Sequence, residues 1–165
     1  MFEIVEIGNN RLDEAEQLVA RVFPWRDFGE RMTHWVYKRQ HNRLVRFFMR
    51  RAGVSSFVNI WGCMNGDGEI CGITGLYTCP QDENEADWLS WFCVDPAQRG
   101  QGIGGKLLAF SIEQARGRGK QFLRLYTSDD PNEAEAQGLY EKFGLAVTRE
   151  EKLRTHTLIY RELRL

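Results

Sequence analysis

Arg99-Gly-Gln-Gly-Ile-Gly-Gly105, the run RGQGIGG, decides how this 165-residue chain folds. It stands between an apolar stretch of strand character, Trp88-Leu-Ser-Trp-Phe-Cys-Val94, and one of helix character, Lys106-Leu-Leu-Ala-Phe-Ser-Ile-Glu-Gln-Ala115. Four glycines within six residues let the backbone turn tightly and bring successive N–H groups up to a ligand without Cβ interference. The helix behind them points the positive end of its dipole at the same spot. Strand, loop and helix N-terminus together make an anion site suited to a phosphate or pyrophosphate. A plain helix start uses Ser, Thr, Asp or Asn and seldom needs so many glycines.

Gly100-x-Gly102-x-x-Gly105 also satisfies the dinucleotide-binding fingerprint. That fingerprint sets its first glycine in the turn directly after the strand. Here Asp95-Pro-Ala-Gln-Arg99 intervenes, and Pro96 bars a simple continuation of the strand. Too little chain remains downstream for a full doubly wound sheet, so the dinucleotide reading is rejected.

The length suits one domain, residues 1–165, with a sizeable core. An apolar content of 42% with 27% charged residues is ordinary for a soluble globular chain. A net charge of −1 lacks the basic excess of a nucleic-acid binder, so no nucleic-acid partner is expected. No apolar stretch reaches spanning length, so no membrane partner is expected either. Met1-Phe-Glu-Ile-Val-Glu6 lacks the basic and apolar regions of a secretory signal, which predicts a cytoplasmic protein. Cys63, Cys71, Cys79 and Cys93 show no CxxC and no zinc spacing. They are expected as reduced strand residues, with a Cys63–Cys71 bridge across a hairpin as the minor alternative. His34 and His41 lack a third ligand, and no metal is expected.

Phe2–Ile7 alternates as a half-buried strand does. Leu12, Ala15, Val19 and Val22 recur at helical spacing, and Pro24 stops that helix. Asp27–Arg51 reads as largely helical, with Trp35, Leu44, Phe47 and Phe48 supplying apolar contacts. Ser56–Tyr77 reads as a hairpin about Asn65-Gly-Asp-Gly68. The glycine loop is followed by a helix to about Arg116 and a strand Phe122–Tyr126. Asp130-Pro-Asn-Glu133 has the form of a capping box opening a helix that stops at Gly144. Ala146–Leu165 reads as two strands around Glu150-Glu-Lys152. The order is β-α-α-β-β-β-α-β-α-β-β.

Arg99-Gly-Gln-Gly102-Ile-Gly104 follows the pattern Gln/Arg-x-x-Gly-x-Gly/Ala, after a strand ending Val94-Asp-Pro96. Ala136-Gln-Gly-Leu-Tyr140-Glu-Lys-Phe-Gly144 follows Ala-x-x-Leu-Tyr-x-x-x-Gly. By these motifs and this element order the chain resembles the GCN5-related N-acetyltransferase superfamily over nearly its whole length. The resemblance implies an α/β protein with the acyl-CoA N-acyltransferase fold, a mixed, largely antiparallel central sheet with helices on both faces. It implies acetyl-CoA as acyl-donor cosubstrate and an amine acceptor, and it brings in homodimerisation, which is common in the family.

The resemblance also assigns residues. The backbone of Arg99, Gly100, Gln101, Gly102, Ile103, Gly104 and Gly105 would anchor the pyrophosphate. Phe92, Cys93 and Val94 would pair their backbones with the pantetheine arm, on a strand that bulges and splays from the next one. Tyr140 would protonate the leaving thiolate, a phenol near 10 facing a thiol of roughly 8.5. Related enzymes carry an asparagine seven residues before that tyrosine. Here Glu133 holds the position, and Asn132, one residue earlier, is the candidate contact.

An amine of pKa near 10.4 needs a proton acceptor. Ser90 and Tyr126 are poor bases, and Asp87 is the nearest carboxylate, with Glu85 behind it. The acidic run Asp82, Glu83, Glu85 and Asp87 suits a cationic amine, whereas a stripe of Arg39, Arg43, Arg46 and Arg50 suits an acidic substrate. Trp25, Trp35 and Trp61 are expected in the core or a pocket wall. The expected activity is direct acetyl transfer to a primary amine of a small molecule, with Cys93 a strand residue and not an acyl carrier. Two alternatives stand beside it. One is a protein N-terminal or lysine acetyltransferase, since Phe23-Pro-Trp25 resembles the start of ribosomal-protein alanine acetyltransferases, although those carry a glutamate where this chain has Tyr126. The other is a non-catalytic acyl-CoA-binding regulatory module.

Overall fold

Seven strands form one sheet in the order β1-β2-β3-β4-β5-β7-β6 in a computed structural model that describes residues 2–24, 26 and 31–165. The strands are β1 (Glu3–Glu6), β2 (Ser56–Met64), β3 (Ile70–Thr78), β4 (Ala86–Val94), β5 (Phe122–Ser128), β6 (Ala146–Lys152) and β7 (Thr157–Arg164). Only β4 and β5 pair in parallel; every other neighbouring pair is antiparallel. The β2–β3 turn closes as its Asn-Gly-Asp-Gly sequence requires. The Asn65 side-chain oxygen accepts from the Asp67 and Glu69 N–H groups at 3.0 and 2.9 Å.

Alternation along the strands sorts side chains to two faces. On one face, Leu12, Ala15, Leu18 and Val19 of α1 (Leu12–Val22) pack against Ile60, Ile73 and Cys93. On the other, Leu108, Ile112 and Ala115 of α4 (Ile103–Gly117) meet Trp61, Leu76, Leu89, Leu123 and Leu125, with Tyr140 of α5 (Ala134–Lys142) completing the cluster. Each fully buried leucine here contributes about 1.5–3 kcal/mol of transfer free energy. Thr74 and Ser111 satisfy each other at 2.7 Å where α4 crosses β3.

Several sequence expectations are corrected. The helical segment ahead of β2 is two helices, α2 (Thr33–Arg39) and α3 (Arg43–Arg51), because the Asn42 side chain caps a new helix by accepting from Leu44 N–H at 2.9 Å. Leu44, Phe47 and Phe48 are exposed, and Met49 is the buried residue of α3. Trp35 is surface-lying under the Arg39 guanidinium, 4.5 Å from its ring centroid. Trp61 is buried as expected, whereas Trp25 lies outside the described residues. All four cysteines are free, and Cys71 donates its thiol hydrogen to the Cys63 carbonyl in place of a bridge.

Candidate active site

The site begins with a register break in β4. Ile73 pairs with Cys93, but Gly75 pairs with Ser90, so β4 carries one residue more than β3 between these pairs. The extra length is taken up at Trp91, whose φ of 49° is the one positive value at a non-glycine among the described residues. An L-residue in that region costs roughly 1–2 kcal/mol, a strain retained only where the surroundings enforce it. On its other side β4 pairs with β5 only at Ala86, Asp87 and Trp88, opposite Phe122, Leu123 and Arg124. Beyond Trp88 the two parallel strands part, while β5 stays paired with β7 along its length. The edge Leu89–Val94 therefore faces a slot, with peptide groups available to an extended arm laid in as an added strand.

At the open end of the slot, Asp95 caps a short 3-10 turn, Pro96–Gln98, by accepting from Ala97 N–H at 2.9 Å. The glycine loop follows. Gly100 and Gly102 both sit at φ 77°, where only glycine is unstrained, and a Cβ at either would meet nothing within 4 Å. The loop is thus shaped by backbone conformation and leaves open space above it. The first helical bond of α4 runs from Lys106 N–H to the Gly102 carbonyl at 3.1 Å. The amides of Ile103, Gly104 and Gly105 are the helix's first-turn donors, aimed outward. The Ile103 side chain is buried against Cys63, Cys71 and Leu107, which fixes the helix start to the sheet. Gly104 and Gly105 admit Leu139 and Phe143 of α5 at close range. Arg99 reaches across to Glu135 of α5 at 3.6 Å, and Gln101 is tied to Gln98 at 3.0 Å. An open amide cradle at a helix N-terminus, beside an unpaired strand edge, fits the pyrophosphate and arm of acetyl-CoA.

The Tyr140 ring packs on that of Phe92, the residue next in sequence to the bulge residue Trp91, with 5.8 Å between centroids, and is 5% exposed. Burial first, then the negative charge of Glu133, pushes its phenol up. Glu133 does not close the expected capping box on Asp130. Its carboxylate reaches back to the Thr127 hydroxyl and, at 2.7 Å, the Ser128 N–H, tying the end of β5 to the start of α5. Asn132 lies in the 3-10 turn Pro131–Glu133 between them, with its side chain outside the described residues.

The model of the Acetyltransferase (GNAT) family matches residues 13–145. The chain belongs to this family. No curated protein sequence matches it. Among solved structures, an acetyltransferase of the GNAT family from Staphylococcus aureus Mu50 superposes with a TM-score of 0.73 at 21% identity, over 99% of this chain and 100% of that one. The ribosomal-protein-S18-alanine N-acetyltransferase from Escherichia coli gives 0.71 at 19%, over 99% and 94%. YncA from Salmonella typhimurium, solved with its cofactor acetyl-CoA, gives 0.70 at 19%, over 99% and 94%. At these identities the likeness is one of fold. The GNAT family uses acetyl-CoA.

Asp87 is not placed as a base. It is 0% exposed, at the closed end of β4, and accepts from Arg118 Nε at 2.7 Å with Lys120 Nζ at 3.9 Å. Six residues separate it from Cys93, roughly 20 Å of extended strand. The rest of the acidic run is also engaged. Asp82 accepts from Trp88 Nε1 and Arg124, Glu85 pairs with Arg124, and Glu83 with Arg50. A receptor for a cationic amine cannot be built from carboxylates so occupied. Tyr126, half exposed, stacks on Tyr160 at 6.1 Å. Cys93 is buried beside the bulge, and burial pushes its thiol up to about 12. The bulge at Trp91 and the Glu133 tie are the features missed from sequence. The apolar run around Trp91 carries no mark of a bulge, and Glu133 looked like an ordinary helix-opening residue.

Proposed function

We propose that this acetyltransferase passes the acetyl group of acetyl-CoA directly to a primary amine of a small molecule, with Tyr140 as general acid. The observation that carries the reading is the approach of the Tyr140 ring to Phe92, on the unpaired and bulged edge of β4. When bound, acetyl-CoA supplies the activated acetyl thioester. The amides of Gly100–Gly105 would hold its pyrophosphate, and the backbone of Phe92, Cys93 and Val94 would line up its arm. Leu139 and Phe143 of α5 pack against Gly104 and Gly105 at the start of α4. The Tyr140 phenol keeps its proton at Oη across the working pH range, since burial raises it above 10. A thiol near 8.5 is the stronger acid. As the C–N bond forms and the C–S bond breaks, the Tyr140 hydroxyl hydrogen-bonds the negative charge developing at sulfur and hands its proton to it. The proton given up by the attacking amine returns through water to Oη; the hydrogen bond counts for more where water is excluded.

With Asp87 engaged by Arg118, the amine arrives as its neutral fraction, roughly one molecule in 2,500 at pH 7 for a pKa near 10.4. The test mixes acetyl-CoA with a panel of small amines and amino-terminal peptides and follows free thiol between pH 6 and about 9. The expected result is turnover on a small amine, rising about tenfold per pH unit and lost in Tyr140→Phe with acetyl-CoA affinity kept. Unchanged turnover in that variant removes Tyr140 from the role. The engagement of Asp87 also favours a second reading, a non-catalytic acyl-CoA-binding module; tight CoA binding by calorimetry with no turnover on the whole panel would establish it.

A further inference from the structure

The surface of α3 is unlike the rest of the molecule. Leu44, Phe47 and Phe48 are 70%, 59% and 67% exposed, with the two rings 5.6 Å apart edge to face. At about 100° per residue the three share one stripe of the helix. Met49 and Val45 turn to the protein, and Arg43, Arg46 and Arg50 flank the stripe on its other side. Charge is segregated here as well. From residue 31 to residue 66 the chain has seven lysines and arginines and no aspartate or glutamate, although its net charge is −1. Two of the seven are neutralised from elsewhere, Lys38 by Asp13 at 2.7 Å and Arg50 by Glu83 at 3.4 Å. Arg43, Arg46 and Arg51 have no ion-pair partner among the described residues, and Arg39 lies on Trp35.

Two bulky aromatics and a leucine, projecting together and ringed by arginines, form a ridge. A helical or extended peptide needs a groove or a free sheet edge to dock, and a ridge offers neither. A flat anionic bilayer accepts it, with the apolar tips entering the headgroup boundary and the guanidinium groups meeting lipid phosphates. We propose that α3 holds this acetyltransferase peripherally on anionic membranes through Leu44, Phe47 and Phe48, with Arg43, Arg46 and Arg51 supplying the electrostatic attraction. No helix of the described residues is long and apolar enough to span a bilayer, and interfacial binding requires none. The proposal is independent of which amine is acetylated.

The test is co-sedimentation of the full chain with vesicles of phosphatidylserine mixed with phosphatidylcholine, against vesicles of phosphatidylcholine alone. Binding is expected to the anionic vesicles only and to weaken as salt shortens the Debye length. Phe47→Ser with Phe48→Ser is expected to weaken it about tenfold or more, and Arg46→Gln about fivefold. Both variants should keep their thermal midpoint and acetyl-CoA affinity, because the altered side chains are exposed. Absence of binding to the anionic vesicles at low salt overturns the proposal, as does binding that survives the double serine variant. A wild-type dimer without lipid that becomes monomeric in the double variant reassigns the ridge to a second copy of the chain. Equal binding to soluble polyglutamate, with the same dependence on Phe47 and Phe48, reassigns it to an acidic protein.

Discussion

Between Ala86 and Trp88, β4 is hydrogen-bonded to β5, with Asp87 sealed beneath Arg118 and Lys120. Between Leu89 and Val94 it keeps only β3, and that pairing is broken by the bulge at Trp91. The polar groups at the first end are spent on one another. Those at the second end are backbone groups left free by the parting of two parallel strands. The contrast shows how one strand can be scaffold at one end and leave an unpaired edge at the other. The closed end fixes the angle from which the open end diverges; on the proposed function, charge at the closed end is expected to govern stability and geometry at the open end chemistry.

The sharpest way to break this comparison is one substitution at each end. Tyr140→Phe removes the hydroxyl at the open end and is expected to lower kcat by about 10²–10⁴, the range for a general acid, with little change in thermal midpoint. Asp87→Asn at the closed end is expected to do the reverse. Breaking a buried ion pair costs about 3–5 kcal/mol, and the lower figure applies because the Arg118 side chain is 40% exposed and can turn to water. At about 2–4 °C per kcal/mol for a chain of this size, the midpoint should fall by roughly 6–12 °C, with kcat kept well below it. A large kcat loss in Asp87→Asn would return Asp87 to the chemistry. The pH dependence follows from the direction of the Tyr140 shift. A phenol raised in the folded state is protonated in both states below its ordinary value of 10, so its burial costs nothing there. Above that value the unfolded chain ionises first, and stability falls with rising pH until the folded value is passed. No descending limb in kcat from Tyr140 should appear below pH 10.

Much of this was legible in sequence because it depends on residues with few alternatives. Glycine at 100 and 102 answers a left-handed backbone, and the Asn65–Gly68 turn answers a hairpin. Tyr140 was legible as a motif. The bulge was not, because Trp91 is a poor residue for positive φ and is held there by pairing on either side of it. Asp87 was misjudged because its partner Arg118 is 31 residues away, beyond any periodicity. Apolar residues on a helix predict apolar contacts for Leu44, Phe47 and Phe48; that α3 turns them outward depends on Asn42 starting a new helix.

A smaller effect separates glycines that shape a site from glycines that merely turn the chain. Gly102, at φ 77°, and Gly68, at φ 78°, both have nothing within 4 Å of a would-be Cβ. Alanine at either position should cost about 1 kcal/mol through backbone conformation alone. Only Gly102→Ala lies at the open end, and a small relaxation of the loop there displaces the amides of Ile103 and Gly104. Its KM for acetyl-CoA should rise about fivefold, equivalent to about 1 kcal/mol, with kcat unchanged, while Gly68→Ala leaves both constants alone. Equal effects on KM would show that the cradle is not the pyrophosphate site.

The least effect is expected from the cysteine two residues beyond the bulge. Cys93 sits where an acyl carrier would need to be, so its inertness separates direct transfer from transfer through an acetylated enzyme. Its side chain turns away from the slot into the cluster of Ile73, Ile60 and α1. Burial holds the thiol up to about 12, leaving about one thiolate in ten thousand at pH 8. Cys93→Ala should therefore retain full turnover and lose about 1 kcal/mol of stability from the small void left behind. Mass spectrometry of the enzyme quenched during turnover should show no added acetyl group. An acetylated Cys93, or a burst of free thiol absent from the alanine variant, would mean that the open end of β4 supplies a side chain to the reaction as well as its backbone.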